Sequence, residues 1–237
     1  PIGPDETTFD DARRVLRITH TEDLLPKPVV DYIKNGSTDQ ETPKAFPQNT
    51  YFLINTLPDS CKIAEQVARE MGLNAVTLTT FLEGESREAG MFFASLAREI
   101  QTNSRPFSAP CVILAAGETT TKISDNEDIR GHGGPSHELV AAFALAASKV
   151  PGACMLSIDT EGTDGTTLYA GGLTDSKTAE AARLAGIDLY EALRGHAVGE
   201  ALVALNDAVF TGNTGTNLCD LNVLYVPAAA SDRFKKS

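Results

Sequence analysis

The chain of 237 residues lacks tryptophan and has few other aromatic residues, with 10 Phe and 5 Tyr. Its hydrophobic residues still make up 42% of the sequence, so we expect a sizeable core built mainly from aliphatic side chains and alanine. A chain of this length can form one large domain or two small ones.

Positive charge is also scarce. The sequence has 20 Lys and Arg residues against 32 Asp and Glu residues, so its net charge is −12. Nucleic-acid-binding domains usually carry a basic patch and a high pI, whereas this sequence has a pI of about 4.7. Nucleic acid is therefore not an expected partner. A small anionic substrate is still compatible with this acidic composition, provided that local cationic side chains or backbone N–H groups bind it.

Cysteines are few, and no C-x-x-C pair predicts a zinc ribbon. Cys111 and Cys154 lie in apolar, strand-like runs and are predicted to be buried thiols in a reducing, cytoplasmic compartment. No apolar run reaches the ~18–20 residues of a membrane helix, and no secretory signal opens the sequence. The first twelve residues lack Met and resemble the interior of a longer protein.

Hydrophobic periodicity predicts alternating strands and helices. The alternation favours an α/β fold with a mostly parallel or mixed sheet flanked by helices. Residues 111–124 further suggest a hairpin, and residues 101–110 a linker. The predicted helices are 8–19, 28–35, 59–71, 85–101, 136–149, 176–185 and 198–207, and the predicted strands are 51–56, 74–80, 111–117, 153–159 and 220–226.

Four loops could carry chemistry, because ligands of open α/β sheets bind beyond the carboxyl ends of strands. The first, AAGETTT (115–121), places Gly117 and Glu118 after an apolar strand. Glycine there would let the backbone approach a ligand closely. A plain hairpin turn is the alternative.

The second loop, IRGHGGPSHE (129–138), leads into a predicted helix. The N–H groups of a helix start can bind an anion, and Gly133 and Gly134 would permit its close approach. The glycine spacing matches neither the P-loop nor the dinucleotide fingerprint. His132 and His137 could act as ligands or bases, although histidines beside loops usually do neither.

The third loop, DTEGTDG (159–165), carries three acids after an apolar run. An EF-hand is excluded, because its twelfth position would be Ala170 instead of Glu. Asp159, Glu161 and Asp164 could gather Mg²⁺ or supply a general base. The alternative is a polar turn whose acids accept backbone hydrogen bonds.

The fourth loop, FTGNTGTNLCDL (210–221), is small and rich in hydrogen-bond donors. Consecutive N–H groups in such a loop can form an anion-binding nest. A glycine turn before a strand is the alternative.

In their order, these four loops resemble the motifs of the MOFRL domain, the C-terminal part of the class II glycerate 2-kinases. LEGESREAGMFFASLA (82–97) and PDETTFDDARRVL (4–16) also resemble segments of that family. The resemblance therefore spans essentially the whole chain. Members of the family have also been labelled hydroxypyruvate reductases.

The resemblance implies transfer of the γ-phosphoryl group of ATP to the 2-hydroxyl of D-glycerate, giving 2-phosphoglycerate, with Mg²⁺, in a cleft between two α/β domains. It implies that residues 1–104 end a first, Rossmann-like domain and that residues 105–237 form a MOFRL-like domain. The family's N-terminal half, with a glycine-rich loop and a lysine attributed to catalysis, has no counterpart here. We therefore expect the chain alone to be inactive.

The site residues follow from the matched motifs. Asp159 and Asp164 are the expected catalytic residues, and Asp164 with Glu161 the expected metal ligands. The expected partners are a glycerate-like hydroxy acid, a nucleotide and the missing half, and a homodimer is left open. The expected substrate- or nucleotide-binding residues are Gly117, Glu118, Thr119, Gly133, Gly134, Ser136, Glu138, Gly215, Thr216 and Asn217.

The sequence also departs from the family pattern. His132 and Pro135 stand where many members have arginine, and Glu161 replaces the more usual Asp. Less fixed positive charge is then available to bind phosphate. Two alternatives stay open: a hydroxypyruvate reductase-type oxidoreductase, for which no dinucleotide fingerprint is present, and a non-catalytic binding or assembly module.

Overall fold

The computed structural model describes residues 3–124 and 128–229, which form two compact units that divide between Ile54 and Asn55. The first unit contains helices α1 (Phe9–Thr19) and α2 (Lys27–Asn35). A capping box fixes the start of α1, because the Thr8 and Asp11 side chains each bind the other's backbone N–H.

The second unit is built on a six-stranded mixed sheet with the order β1-β2-β6-β3-β4-β5. The β1–β2 pair is parallel, and the other four pairs are antiparallel. This agrees with the expected mixed sheet. The strands are β1 (Asn74–Leu82), β2 (Cys111–Gly117), β3 (Cys154–Asp159), β4 (Gly171–Asp175), β5 (Ala208–Val209) and β6 (Asp220–Val226).

Helices cover both faces of this sheet. Helix α3 packs on β1 and β2, while α4 and α5 pack on each other and on the central strands from the other face. Strand β2 is consequently buried along its whole length. The helices of this unit are α3 (Leu57–Glu70), α4 (Ser86–Asn103), α5 (Pro135–Ala146), α6 (Thr178–Leu184), α7 (Leu189–Arg194) and α8 (Val198–Leu205).

The main core lies between the sheet and the α4–α5 pair, and it is rich in alanine and aliphatic side chains as composition predicts. Helix α5 is buried on all sides from Ser136 to Ala144, which is typical of a helix apolar all round. Gly90 of α4 lies so close to α5 that an added Cβ would overlap the carbonyl oxygen of Leu139.

Two predicted elements are wrong. Residues 51–56 form no strand, and Ile54 is 99% exposed. The apolar run satisfies the local pattern of a strand, but no strand of the described residues pairs with it. The hairpin over 111–124 is also absent, because β2 pairs with β1 and β6 and residues 118–124 leave the sheet.

The sequence patterns missed β4, β5 and α7, each of which is short. Gly171 and Gly172 begin β4, where an added Cβ on Gly171 would overlap the Ser157 carbonyl oxygen of the neighbouring strand. The domain boundary between residues 104 and 105 stays a prediction. In the described ranges, no helix is long and apolar enough to cross a membrane.

The Gly90→Ala variant should test the α4–α5 contact. Glycine to alanine normally stabilises a helix by up to about 1 kcal/mol. Here the overlap with α5 should reverse the sign and lower the free energy of unfolding by about 1–3 kcal/mol.

The matched control is Ser95→Ala on the exposed face of the same helix, which should change stability by less than about 0.5 kcal/mol. Urea unfolding measures both variants. Equal stabilities for Gly90→Ala and the parent chain would contradict the packing described.

Candidate functional site

Three strand ends meet at one edge of the sheet. Asp220, the first residue of β6, lies opposite Gly117 of β2 on one side and opposite Asp159 of β3 on the other. The loops that follow β2 and β3 and the loop that precedes β6 therefore begin from adjacent positions. This edge is where the sequence predicts a site.

The loop after β2 is held by the turn between β1 and α4. Gly117 has φ of 150°, and an added Cβ would overlap the Leu82 backbone. The Glu118 N–H donates to the Leu82 carbonyl at 2.9 Å, and the Glu118 side chain is exposed. Thr119 is buried and contacts the Ser86 hydroxyl at 3.1 Å.

The first turn of α5 is capped by Asp164. The backbone N–H groups of Ser136 and His137 donate to the two oxygens of the Asp164 carboxylate at 3.3 and 2.9 Å. Gly134 packs against this carboxylate, so an added Cβ there would overlap it. The N-terminal N–H groups predicted to bind a ligand anion thus bind an anion of the chain itself.

The two loop histidines differ sharply. His132 is exposed, and its Nδ1 lies 2.7 Å from the Glu200 carboxylate. His137 is fully buried, with Nδ1 against the Asp164 carboxylate and its ring edge-on to Tyr169 at 5.3 Å. The side chain of His137 therefore lies in the interior of the unit, out of contact with solvent.

Glu138 lies inside the unit as well. Its carboxylate contacts Nδ1 of His196 at 2.6 Å and the Arg87 guanidinium at 3.1 Å. Burial raises the pKa of Glu138, while His196 and Arg87 act against that rise. The contacts join α5 to α4 and to the segment before α8, and this accounts for a charge at a core position.

Ser136 is buried too, and its hydroxyl accepts a hydrogen bond from Ser157 of β3 at 2.9 Å. Gly133 lies in the same turn, and its carbonyl accepts the Thr166 N–H at 3.1 Å. These residues, like Glu138, join neighbouring elements.

The loop after β3 is tightly turned. An Asp159 carboxylate oxygen accepts the Glu161 N–H at 3.0 Å. Gly162 has φ of 101°, and an added Cβ would overlap the Gly212 carbonyl of the fourth loop. The third and fourth loops are therefore in direct contact, and glycine is required where they touch.

The fourth loop is exposed from Thr211 to Asn217. The Asn217 amide donates to the Glu161 carboxylate at 2.9 Å, and the Gly215 N–H donates to the Asn213 side chain at 2.8 Å. The Thr216 N–H faces the Thr214 hydroxyl at 3.4 Å. The polar residues of this loop are thus hydrogen-bonded to one another and to Glu161.

The loops together place several acids around Asp220. Burial first, and then the negative charges of Asp164, Asp159 and Glu118, raise the pKa of Asp220 to about 8, against a hydrogen bond from the Thr119 N–H that lowers it. The pKa of Asp159 is also raised, first by burial and then by nearby carboxylates. Sequence reasoning missed Asp220, which it treated as the start of a strand.

The acids do not form a prepared Mg²⁺ site. Both oxygens of Asp164 already accept N–H groups, and Glu161 is bound by Asn217 and by Thr163. Among the residues that the structure describes, no group of three or more His, Cys, Asp or Glu could hold a metal ion. The expected pair Asp164 and Glu161 therefore does not fit the metal.

An open pocket of about 560 Å³ adjoins this edge of the sheet. It reaches from the end of β1 to the loop before β6, and its two acidic lining residues are Glu83 and Glu118. The lining residues are Leu57, Thr80, Phe81, Leu82, Glu83, Gly84, Gly117, Glu118, Thr120 and Cys219.

Comparison with known proteins adds independent information. Residues 111–220 match the MOFRL family. The chain is 35% identical over 229 residues to a glycerate 2-kinase of Pyrococcus horikoshii, covering 95% of this chain and 51% of that protein. It is 31% identical to a putative hydroxypyruvate reductase of Agrobacterium vitis, covering 95% and 57%.

Among solved structures, a glycerate kinase of Thermotoga maritima is similar, with a TM-score of 0.76 and 34% identity. The match covers 94% of this chain and 51% of that one. The chain thus spans about half the length of the relatives that it matches.

The Asp164→Asn variant should test the cap on α5. Loss of the buried negative charge weakens the bonds to the Ser136 and His137 N–H groups, so we expect a loss of about 1.5–3 kcal/mol in unfolding free energy. The control is Asp188→Asn, since Asp188 caps α7 from an exposed position and Asn is an equally good cap. Equal effects of the two variants would contradict the role given to Asp164.

Proposed function

Residues 111–220 belong to the MOFRL family, and from this premise we propose that the chain supplies one half of the active site of a glycerate 2-kinase. The reaction is transfer of the γ-phosphoryl group of ATP to the 2-hydroxyl of D-glycerate, giving 2-phosphoglycerate. The similar proteins of Pyrococcus horikoshii and Thermotoga maritima, both described as glycerate kinases, support this proposal.

The observation that carries the proposal is the meeting of the four loops at one edge of the sheet. Gly117, Asp159 and Asp220 are neighbours in the sheet, and the loop of Gly215 contacts the loop of Glu161. Phosphoryl transfer depends mainly on positioning and on electrostatic stabilisation. Small loops that are rigidly joined can provide such positioning.

Within this half site, the exposed residues are the ones able to meet a substrate. Glu118 lines the pocket, and Asp159 ends β3 with a partly exposed carboxylate. Gly215, Thr216 and Asn217 lie exposed at the rim. We assign contact with the hydroxy acid or the nucleotide to these residues. Ser136, Glu138 and Asp164 keep α5 and its neighbouring loop in place.

ATP is the proposed phosphoryl donor. Mg²⁺ would arrive with ATP as part of the substrate, because the acids in the described part of the chain do not form a site for it. Positive charge to balance the phosphates would come from the other half of the enzyme, since His132 and Pro135 occupy the positions where many relatives have arginine.

The setting of the proposed enzyme follows the same reasoning. The thiols of Cys61, Cys111, Cys154 and Cys219 are all free, which supports a reducing, cytoplasmic compartment. The partner that the proposal requires is the half that the relatives have and this sequence lacks. Self-association into a homodimer stays open.

An activity assay should test this function. We expect the purified 237-residue chain with ATP, Mg²⁺ and D-glycerate to form no ADP above the blank, because half of the cleft is missing. A hybrid in which this chain replaces the matching half of the Thermotoga maritima glycerate kinase should form ADP only when D-glycerate is present. Phosphorus NMR should identify the product as 2-phosphoglycerate.

The other half of the Thermotoga maritima enzyme alone serves as the control. Turnover by the 237-residue chain at ordinary kinase rates, about 1–100 per second, would show that the second half is dispensable. A folded hybrid that oxidises NADH or NADPH with hydroxypyruvate and forms no ADP would favour the reductase instead.

A further inference from the structure

The first unit, described over residues 3–54, has almost no core of its own. Within that range, Leu16 and Val30 are the residues that are buried. A segment of this length rarely buries enough apolar surface to be stable by itself. Its exposed large apolar residues are Val15, Ile18, Leu24, Leu25, Val29, Tyr32, Tyr51, Phe52, Leu53 and Ile54. The unit therefore presents to solvent many of the side chains that a core needs.

The longest exposed apolar run of this unit is residues 51–54. Its four consecutive side chains are 62–99% exposed. Single exposed apolar residues are normal on a protein surface, whereas a contiguous group of them marks an interaction site. The run is therefore a candidate contact surface, separate from the loops of the candidate site.

The composition of the run indicates which surface it fits. Successive residues of a strand point to opposite faces, so Tyr51 and Leu53 would face one side and Phe52 and Ile54 the other. A strand that is apolar on both faces is typical of a parallel sheet covered by helices on both sides. Aromatic and β-branched residues are also preferred in strands. Among the strands that the structure describes, none pairs with this run.

The two helices of the unit carry exposed apolar side chains as well. Val15 and Ile18 of α1 are three residues apart, as are Val29 and Tyr32 of α2, so each pair lies on one side of its helix. These four side chains are 44–62% exposed. The helices contact each other through Phe9 and Tyr32, whose ring centroids are 5.4 Å apart. The helix pair thus has apolar surface left over after its own contact.

The length of the relatives indicates what covers this surface. The match to the Pyrococcus horikoshii protein covers 95% of this chain and 51% of that protein. Most of the first unit therefore has a counterpart there that belongs to a chain with a second half. A second copy of the present chain is a poorer partner, because each copy has a net charge of −12 and like charges repel.

We propose that the first unit docks on the other half of the enzyme, with residues 51–54 added as a strand to a mainly parallel sheet of that half. Helices α1 and α2 pack their apolar sides against the same partner. The partner needs an open sheet edge with apolar side chains on both faces. This inference rests on the proposed function, because that function supplies the partner.

Hydrogen exchange tests the docking without any assay of activity. In the 237-residue chain alone, the amides of residues 51–54 should exchange nearly as fast as in an unstructured peptide. In the hybrid with the other half of the Thermotoga maritima glycerate kinase, they should exchange at least about 100-fold more slowly, because strand pairing protects them. The amides of β2, which is buried along its length, should exchange slowly in both proteins and serve as the internal control.

Two outcomes of this measurement would overturn the proposal. One is a folded hybrid, with β2 protected, in which residues 51–54 still exchange fast. The other is equal protection of residues 51–54 in the chain alone, since this chain or a second copy of it would then cover the surface. Sedimentation of the chain alone tells these two sources apart.

The Leu53→Thr and Ile54→Thr variants test the two faces of the added strand. Threonine keeps the preference for a strand but removes apolar surface, so each variant should lower the protection of residues 51–54 in the hybrid by about 10–100-fold. Neither should change the Tm of the chain alone, where both side chains are exposed. The matched control is Leu184→Thr at the exposed end of α6, which should leave the protection unchanged. Protection that neither Leu53→Thr nor Ile54→Thr lowers would contradict the docking.

If the hybrid does not fold, the two halves produced together as separate chains decide. A 1:1 complex that Leu53→Thr combined with Ile54→Thr dissociates would support the docking, whereas halves that never co-purify would overturn it. The kinase assay gives a separate answer. A hybrid that protects residues 51–54 but forms no ADP would refute the proposed function alone, and one that forms ADP with these residues unprotected would refute the docking alone.

Discussion

The bond between the Asp164 carboxylate and the first turn of α5 is the contact on which the arrangement of the site depends. Because α5 is buried on all sides, its first N–H groups cannot be satisfied by water and need an internal acceptor. Asp164 supplies it from the loop after β3. The Thr166 N–H of the same loop also donates to the Gly133 carbonyl at 3.1 Å, so two loops distant in sequence are joined by hydrogen bonds at two places.

The buried acids of this unit show three ways of keeping negative charge inside a protein. Asp164 accepts backbone N–H groups, and Glu138 pairs with Arg87 and His196. Asp220 has neither arrangement in full, and burial together with the neighbouring carboxylates raises its pKa to about 8. Buried carboxyl groups of one unit thus depend on different partners, because their environments differ.

Sequence patterns predicted the α/β fold and most of its helices, because those patterns are local. They failed where an element needs a partner distant in sequence. Residues 51–56 have the composition of a strand but pair with none of the strands that the structure describes. Gly171–Asp175, by contrast, begins with two glycines and is a strand because β3 and β5 pair with it. The sequence left open that Asp164 accepts backbone hydrogen bonds, but it could not identify the donors, which lie 28 and 27 residues earlier in the chain.

The position of β6 has a consequence for the order of folding. This strand follows the five other strands that the structure describes, yet it lies in the middle of the sheet between β2 and β3. During synthesis, the β1–β2 pair and the β3–β4 pair cannot join into one sheet until residues 220–226 have been made, because β6 lies between them. Long-range pairing of this kind is slow and leaves strand edges open to other chains. The edges of β2 and β3 therefore stay open to another chain until residues 220–226 pair with both of them.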